Sequence, residues 1–381
     1  MWSAPINDPN KKWALDFEIS SYCNATCPGC ARFVYGTPVR HPSLRQNNVT
    51  LKQFKEWITP AILAKTDHIA FCGNFGDCAM NPEFVPILEY IREYNDCDII
   101  IRTNGGARKP DFWRDVGRLA STVVFSVDGL EDTNHLYRRG IKWSKIVENA
   151  KALNEMDIYS EWEYLVFREN AHQKDEARRL AKEWGFNAIQ FKRPYGMDDE
   201  FNKKHIPLVV RDKNGNSTYG LHLDTDDYFD DFEIDEWDVT QMGALQVNNY
   251  EFEVPGDVVN LEGYSEQEKF DIQCKMIKLE GQAMMMHINA QGLVLPCCFW
   301  GSEIYRNYND DIFNQVNQIL PPDTIDLKQH SFEHIMQVLD DKVYNKFTCS
   351  HIAGRPLRCS LVCGWKNPLD DEVYNTDKAV V

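Results

Sequence analysis

The 381-residue chain has no apolar run of the length that crosses a bilayer. It also opens on a polar stretch, residues 1–12, which lacks the apolar centre of a secretory signal. These two absences predict a cytoplasmic protein with no membrane partner. In that reducing compartment the 12 cysteines are expected to bind metal rather than to form disulfides.

Basic residues are scarce as well. The chain holds 41 Lys and Arg against 58 Asp and Glu, which gives a formal net charge of −17. This balance opposes attraction to a phosphate backbone, so a nucleic acid is an unfavourable partner. The acidic charge concentrates in residues 224–238, where nine acidic residues and no basic one are interleaved with aromatic side chains. The segment fits a solvated flap, a lid or a docking surface for a basic peptide, and composition does not choose among them.

The first cysteine motif of the chain contains three cysteines, and no fourth cysteine lies close to it in sequence. Cys23, Cys27 and Cys30 form a C-x3-C-x2-C run directly after the strand-like residues 13–20. Three thiolates on one short loop can hold three corners of a 4Fe–4S cube and leave one iron without a protein ligand. Structural zinc takes four ligands, usually in two pairs, whereas the local set stops at three. Zinc and ordinary packed cysteines stay open as alternatives.

Strand-like and helix-like segments alternate over residues 13–193. Apolar or β-branched runs predict strands at 13–20, 68–72, 99–103, 122–127, 162–167 and 188–191. Amphipathic stretches predict helices at 51–65, 82–95, 111–119, 143–156 and 172–184, the last ended by Gly185. Six strand-plus-helix units in a row favour parallel strands joined by right-handed crossovers. A closed barrel of this type would need eight such units.

The cysteine run, placed after a first strand, resembles the radical S-adenosylmethionine superfamily. The resemblance implies an α/β fold, a partial (β/α)6 TIM-like barrel over residues 1–195, with its chemistry at the C-terminal strand ends. It also implies a 4Fe–4S cluster whose open iron is chelated by S-adenosylmethionine (SAM). One departure is Gly29, where the superfamily usually has a bulky residue, and we expect Tyr22 or Phe33 to fill that space.

The same resemblance suggests which residues meet SAM. The segment around Gly76 and Asp77, after the second strand, resembles the Gly-Gly-Glu-Pro-like segment that binds the SAM amino group. Ser-Val-Asp-Gly after the fourth strand resembles the Ser-Leu-Asp-Gly of related enzymes, and an arginine a dozen residues later is offered to the SAM carboxylate. The implied cofactor-binding residues are Gly76, Asp77, Asn104, Ser126, Arg138 and Arg139. Asn104 also fits a turn-forming role before two glycines.

The C-terminal cysteines resemble the auxiliary-cluster extension called SPASM in its full form and twitch in its short form. Residues 282–288 and 293–296 predict a β-hairpin that leads to Cys297 and Cys298. The resemblance implies a domain over 274–381 with one auxiliary 4Fe–4S cluster, after an acidic insertion over 196–273. Its implied ligands are Cys274, Cys297, Cys359 and Cys363, with Cys298 and Cys349 in reserve. A zinc site on the same thiolates stays an alternative.

The resemblance implies an enzyme that cleaves SAM reductively to a 5′-deoxyadenosyl radical, which abstracts a substrate hydrogen. A peptide or protein substrate is the first expectation, with oxidation, cross-linking or epimerisation as the outcome. A small metabolite or nucleotide is the alternative, and a non-enzymatic zinc or iron–sulfur module is another. Cys78, at the predicted barrel mouth, is a candidate hydrogen donor. A flavodoxin or ferredoxin is expected as electron donor, docked on Arg108, Lys109, Arg114 and Arg118.

Overall fold

Strands and helices alternate along the chain. A computed structural model describes residues 12–42, 44–194, 197–199, 204–205, 207–224, 284–303, 317, 319–344 and 376–380. The strands are β1 (Trp13–Phe17), β2 (Thr66–Phe71), β3 (Asp98–Thr103), β4 (Thr122–Ser126), β5 (Tyr159–Leu165), β6 (Ala188–Lys192), β7 (Asp198–Asp199), β8 (Lys204–His205), β9 (Leu208–Arg211), β10 (Ser217–Leu221), β11 (Met284–Ile288), β12 (Val294–Leu295) and β13 (Thr376–Val380). The α-helices are α1 (Leu51–Trp57), α2 (Pro60–Leu63), α3 (Phe84–Tyr94), α4 (Pro110–Leu119), α5 (Asn134–Tyr137), α6 (Trp143–Leu153), α7 (Lys174–Trp184), α8 (Cys298–Glu303) and α9 (Phe332–Leu339).

One nine-stranded sheet organises the fold, in the order β12-β11-β1-β2-β3-β4-β5-β6-β13. Neighbouring strands from β1 to β6 run parallel, and β11 pairs with β1 in parallel as well. All five residues of β1 are buried, as expected for a parallel strand covered on both faces. The predicted partial TIM-like α/β barrel is confirmed.

Most predicted helices have the expected positions, but the first one is interrupted. Residues 51–65 form two short helices, because Pro60 lacks the N–H that would continue α1. Thr59 instead caps α2 by accepting a hydrogen bond from the N–H of Ile62 at 3.4 Å. The predicted end of α7 at Gly185 is confirmed, since Gly185 has a φ of 87° in the left-handed region.

The predicted C-terminal hairpin is confirmed and joins the barrel sheet. β11 and β12 pair antiparallel across a turn in which Gly292 has a φ of 87°. The register with β1 sets His287 beside Asp16. Cys274, Cys349, Cys359, Cys363 and residues 225–238 lie outside the described residues. The domain boundaries at 196 and 274 therefore stay predictions.

The barrel core is rich in aromatic side chains, and one stacked tryptophan pair joins β5 to α7. The rings of Trp162 and Trp184 stack at 5.1 Å with an interplanar angle of 5°. Trp162 is fully buried and donates its indole N–H to the carbonyl oxygen of Val127 at 2.8 Å. Among the described residues, none of the helices combines the length and apolarity needed to span a bilayer.

Replacing Trp162 by alanine should leave a cavity and an unsatisfied carbonyl oxygen at Val127. We expect the free energy of unfolding to fall by about 3–5 kcal/mol, measured by urea denaturation. Val39→Ala, at a position with 42% exposure, is the control and should change it by under about 0.5 kcal/mol. Equal effects of the two substitutions would contradict this account of the core.

Candidate functional site

A cavity of about 320 Å³ opens where four parallel strands end. The loop after β1 contributes the three motif cysteines, and the loop after β2 contributes residues 72–77. β3 and the residue after it contribute Arg102, Thr103 and Asn104, and Ser126 ends β4. Because parallel strands end at one edge of the sheet, residues far apart in sequence meet here, as in other barrels of this kind.

The cysteine loop is held in place by two arginines. Arg32 donates hydrogen bonds from Nη1 to the carbonyl oxygens of Ser21 and, at 2.7 Å, of Phe75. Arg139 donates from Nε to the carbonyl oxygen of Thr26 at 2.8 Å. These bonds tie the loop to the loop after β2 on one side and to the chain after α5 on the other.

The three thiols of the loop are buried or half-buried. Burial raises the pKa of Cys23 to about 12 and the pKa of both Cys27 and Cys30 to about 11. Free thiols here keep their protons at neutral pH, and a bound metal would have to displace those protons. Two of the sulfurs have N–H donors nearby. Asn104 Nδ2 lies 3.6 Å from Cys23 Sγ, and Arg138 Nη1 lies 3.9 Å from Cys27 Sγ.

This donor set fits a cluster. Three thiols line one cavity of about 320 Å³ that also carries arginine N–H groups. In a 4Fe–4S cube each thiolate binds a different iron, so the thiolates surround the cube rather than converge on one point. Within the described part of the chain, no three His, Cys, Asp or Glu side chains are arranged around a single metal ion.

Gly76 brings the loop after β2 against the loop after β1. A Cβ at Gly76 would lie 1.8 Å from the carbonyl oxygen of Ser20, so the contact requires glycine. Glu18 fixes the same loop, because its Oε1 accepts hydrogen bonds from the N–H of Phe75 at 2.6 Å and of Gly76 at 2.9 Å. Burial raises the pKa of Glu18 to about 7.

Asp77 lines the cavity but uses its carboxylate within the protein. It accepts hydrogen bonds from Thr103 Oγ1 at 3.0 Å, from the N–H of Asn104 at 2.8 Å and from the N–H of Ala79 at 3.0 Å. Asn104 in turn donates from Nδ2 to Asn24 Oδ1 at 2.9 Å and accepts the N–H of Gly106 at 2.8 Å. The turn-forming role expected for Asn104 is therefore observed, and its side chain also supports the cysteine loop. Its role in binding SAM stays a prediction.

The two candidate arginines differ in their surroundings. Arg138 lines the cavity and donates from Nε to Asp128 at 2.5 Å. Asp128 and Cys27 raise the pKa of Arg138 against the opposing effect of burial. Arg139 is committed to backbone carbonyls, those of Thr26, Arg211 and Gly36. Of the two, the geometry leaves Arg138 facing the cavity.

The space beside Gly29 is filled from elsewhere in the chain. The atoms nearest to a Cβ built on Gly29 belong to Tyr137, at 3.1 Å from Oη, and to Leu208, at 3.4 Å. The expectation that Tyr22 or Phe33 would fill it is therefore corrected. Tyr137 comes from α5 and Leu208 from β9, and no periodicity around the cysteines could have indicated either.

The structure distinguishes the two cysteines near the barrel mouth. Cys78 is buried, and its thiol lies 3.8 Å from the carbonyl oxygen of Arg102. It is not among the described residues that line the cavity, whereas Cys72 is. Asp16, Glu18 and His287 lie behind the part of the cavity wall that Cys72 lines, and they are not among the site residues predicted from the sequence. Two carboxylates inside an otherwise apolar first strand were the available signal.

Ion pairs neutralise two members of the basic patch expected at Arg108, Lys109, Arg114 and Arg118. Arg114 pairs with Asp111 at 2.8 Å and with Glu155 at 2.6 Å, and Arg118 pairs with Asp115. Arg108 donates to the carbonyl oxygen of Ala79 at 2.6 Å and has no carboxylate among the described residues within ion-pair distance. Arg108 lines a second cavity, of about 510 Å³, together with Asn24 of the cysteine loop.

Comparison with known proteins finds one family model and several solved structures that are similar to the barrel. Residues 17–181 match the family model described as the Radical SAM superfamily. A structure of polyhistidine-tagged anSMEcpe with bound AdoMet is 15% identical, with a TM-score of 0.50, and the alignment covers 90% of this chain and 82% of that one. At this identity the similarity concerns the fold alone.

Structures of SuiB from Streptococcus suis are similar to a smaller extent. The SAM-bound structure is 15% identical with a TM-score of 0.47, covering 76% of this chain and 61% of that one. The structure bound to the precursor peptide SuiA is 14% identical with a TM-score of 0.47, covering 78% and 62%. In these two alignments this chain spans less than two thirds of the SuiB chain. No curated protein matches it.

Glu18 should make the stability of the cluster-free protein depend on pH. Because the folded protein raises the pKa of Glu18 from 4.5 to about 7, folding favours the protonated carboxyl. This contribution is fully present below about pH 4.5 and is lost as the pH rises to about 7, by on the order of 3 kcal/mol. Glu18→Gln keeps an oxygen that can accept from the N–H groups of Phe75 and Gly76. Because the glutamine side chain does not titrate, the substitution should remove this contribution to the fall of the unfolding free energy with rising pH.

The measurement is urea unfolding of wild type and Glu18→Gln between about pH 4.5 and pH 7.5. The difference in unfolding free energy between the two proteins should change steadily across that window. Parallel curves would contradict the assignment of the shift to Glu18.

Proposed function

We propose that this protein is a SAM-dependent radical enzyme that modifies a peptide or protein, because residues 17–181 match the family model of the Radical SAM superfamily. Cys23, Cys27 and Cys30 would hold a 4Fe–4S cluster. The observation that carries the proposal is that these three thiols, the Gly76–Asp77 backbone and Arg138 line one cavity. When bound, the reduced cluster and SAM supply a 5′-deoxyadenosyl radical that abstracts a hydrogen atom from the substrate.

In this proposal, side chains and backbone groups that line the cavity bind and orient SAM. Arg138 would take the SAM carboxylate, since its guanidinium has N–H donors beyond the one given to Asp128. Gly76 would allow the amino group to reach the backbone, because no side chain stands between them. Ser126 lies in the same wall and is the candidate for a further polar contact.

The peptide class of substrate rests on the C-terminal cysteines. Their pattern resembles the SPASM and twitch extensions, whose bearers mostly modify peptides or oxidise small alcohols. Cys297, which follows β12, would bind an auxiliary 4Fe–4S cluster together with Cys274, Cys359 and Cys363. β12 joins the barrel sheet through β11, so an auxiliary cluster on Cys297 would be attached to the same rigid sheet as the SAM site.

A low-potential electron donor, a flavodoxin or ferredoxin, would dock beside Asn24. The surface there carries Arg108 and exposed Lys109, and it adjoins the loop of Cys23. Acidic carriers are attracted by local positive charge, although the whole chain is acidic. Arg114 and Arg118, neutralised by their ion pairs, are weaker candidates.

Anaerobic reconstitution with iron and sulfide tests the proposal directly. Two cubes give about eight irons per chain, and Cys27→Ala should lose about four of them together with all SAM cleavage. Cleavage is measured as 5′-deoxyadenosine released after dithionite and SAM are added. Cys97→Ala, a buried thiol before β3, is the matched control and should retain both. Well-loaded protein that releases no 5′-deoxyadenosine would refute the enzyme assignment.

Arg138→Gln should weaken SAM binding without removing the cluster. Losing a charge-assisted contact worth about 1.5–3 kcal/mol raises Kd by about tenfold to hundredfold. Equilibrium dialysis of reconstituted protein measures this, with iron content determined on the same sample. Arg118→Gln, paired on the outer surface, should bind SAM as wild type does. Equal affinity in wild type and Arg138→Gln would assign the carboxylate to another residue.

A further inference from the structure

Four ionisable side chains meet behind one wall of the cavity. Cys72, just after β2, donates its thiol hydrogen to Asp16 Oδ1 at 2.8 Å. Asp16 Oδ2 lies 2.9 Å from His287 Nδ1 across the β1–β11 pair. Glu18 lies two residues after Asp16, just past the end of β1. Three separate segments of the chain thus build a continuous Cys72–Asp16–His287 chain of hydrogen bonds.

The structural role of Glu18 in holding the loop after β2 does not explain why Asp16 and His287 are buried beside it. Asp16, Glu18 and His287 are buried, with exposures of 5%, 1% and 1%. Burying charged groups is costly even when they are paired, and an apolar trio would pack the same space without that cost. Among the described residues, Glu18 Oε2 and His287 Nε2 also have no hydrogen-bond partner. Buried polar atoms without partners are rare in folded proteins, and a catalytic role is one recognised explanation for them.

Cys72 is the member of the cluster that reaches the cavity. It lines the same wall as the motif cysteines and Gly76, in contrast to Cys78. Burial, and then the charge of Asp16, raise the pKa of Cys72 well above its ordinary value. The sulfur therefore keeps its hydrogen at neutral pH. A thiol has a weak S–H bond, so it can give a hydrogen atom to a carbon radical, whereas a thiolate has no hydrogen to give.

We propose that Cys72 returns a hydrogen atom to the substrate radical, with Asp16 and His287 as positioning residues. The inference rests on the proposed function and narrows it to a reaction that removes and replaces hydrogen, such as epimerisation of a peptide residue. The Cys72 S–H bond breaks, a substrate C–H bond forms, and a sulfur radical remains. One electron from the low-potential donor and one proton, which the Asp16–His287 pair is placed to pass, restore the thiol.

Uncoupled turnover in D₂O tests the hydrogen donor without knowledge of the substrate. The thiol hydrogen exchanges with solvent, so Cys72 carries deuterium. Reconstituted wild type treated with dithionite and SAM alone should release 5′-deoxyadenosine that contains one solvent deuterium, detected by mass spectrometry. Cys72→Ser keeps the size and the hydrogen bond to Asp16, but its O–H bond is too strong to donate. The deuterium content should fall to background in Cys72→Ser.

Two further variants identify the source of the deuterium. Cys78→Ala tests the competing thiol, and Cys97→Ala is the control at a buried cysteine remote from the cavity. Both should give the wild-type deuterium content. Unchanged deuterium in Cys72→Ser, or its loss only in Cys78→Ala, overturns the inference and leaves the proposed function intact. Absence of 5′-deoxyadenosine in every protein would instead count against the proposed function.

Alkylation of Cys72 tests the positioning residues without turnover. Cluster-free protein is treated with iodoacetamide over a range of pH, and labelling of each cysteine is followed by mass spectrometry. Asp16→Asn should shift the pH midpoint of Cys72 labelling downwards, because the nearby negative charge is gone. His287→Gln leaves the Asp16 charge in place and keeps a hydrogen-bond donor for it, so it should shift the midpoint less than Asp16→Asn does. A merely structural role predicts equal shifts or none, and that result would overturn the assignment of Asp16 and His287.

Discussion

The hydrogen bonds that Glu18 accepts from Phe75 and Gly76 are the contact on which the site depends. They hold the loop after β2 against the loop after β1, at a separation that leaves no room for a Cβ at Gly76. A carboxyl buried at this depth resists ionisation, so the contact has an energetic cost at neutral pH. The same hydrogen bonds fix the backbone of the loop after β2, which forms part of the cavity wall. The thiols of the cysteine loop and the peptide groups of the second loop then face the same space.

A second set of contacts fastens the third loop to the first two. Asp77 accepts hydrogen bonds from the side chain of Thr103 and the backbone of Asn104, and Asn104 reaches Asn24 beside Cys23. Loops of this length are ordinarily mobile, but here each is bound to its neighbour by buried side chains. Preorganisation of this kind holds the residues that line the cavity in fixed positions.

The β11–β12 hairpin is part of the same sheet as the barrel strands. β11 extends the sheet beyond β1, and His287 on β11 pairs with Asp16. Asn74 in the loop after β2 donates to the carbonyl oxygen of Cys298 at 2.8 Å. A substrate bound at the mouth would therefore meet residues from both halves of the chain. The Cys72–Asp16–His287 chain of hydrogen bonds exists only because these halves share one sheet.

The sequence by itself determined the order of strands and helices over residues 13–193, the hairpin before Cys297 and the three-cysteine loop at the end of the first strand. Each of these follows from local pattern: alternation, periodicity, turn residues and spacing. Only the tertiary structure decided that Tyr137 and Leu208 stand beside Gly29, that Arg138 faces the cavity while Arg139 binds backbone, and that Cys72 rather than Cys78 lines the wall. The reason is physical: local pattern fixes how each segment folds, but the loops at the ends of parallel strands meet neighbours that are distant in sequence. Which side chain reaches a shared cavity depends on how whole strands are paired and in what register.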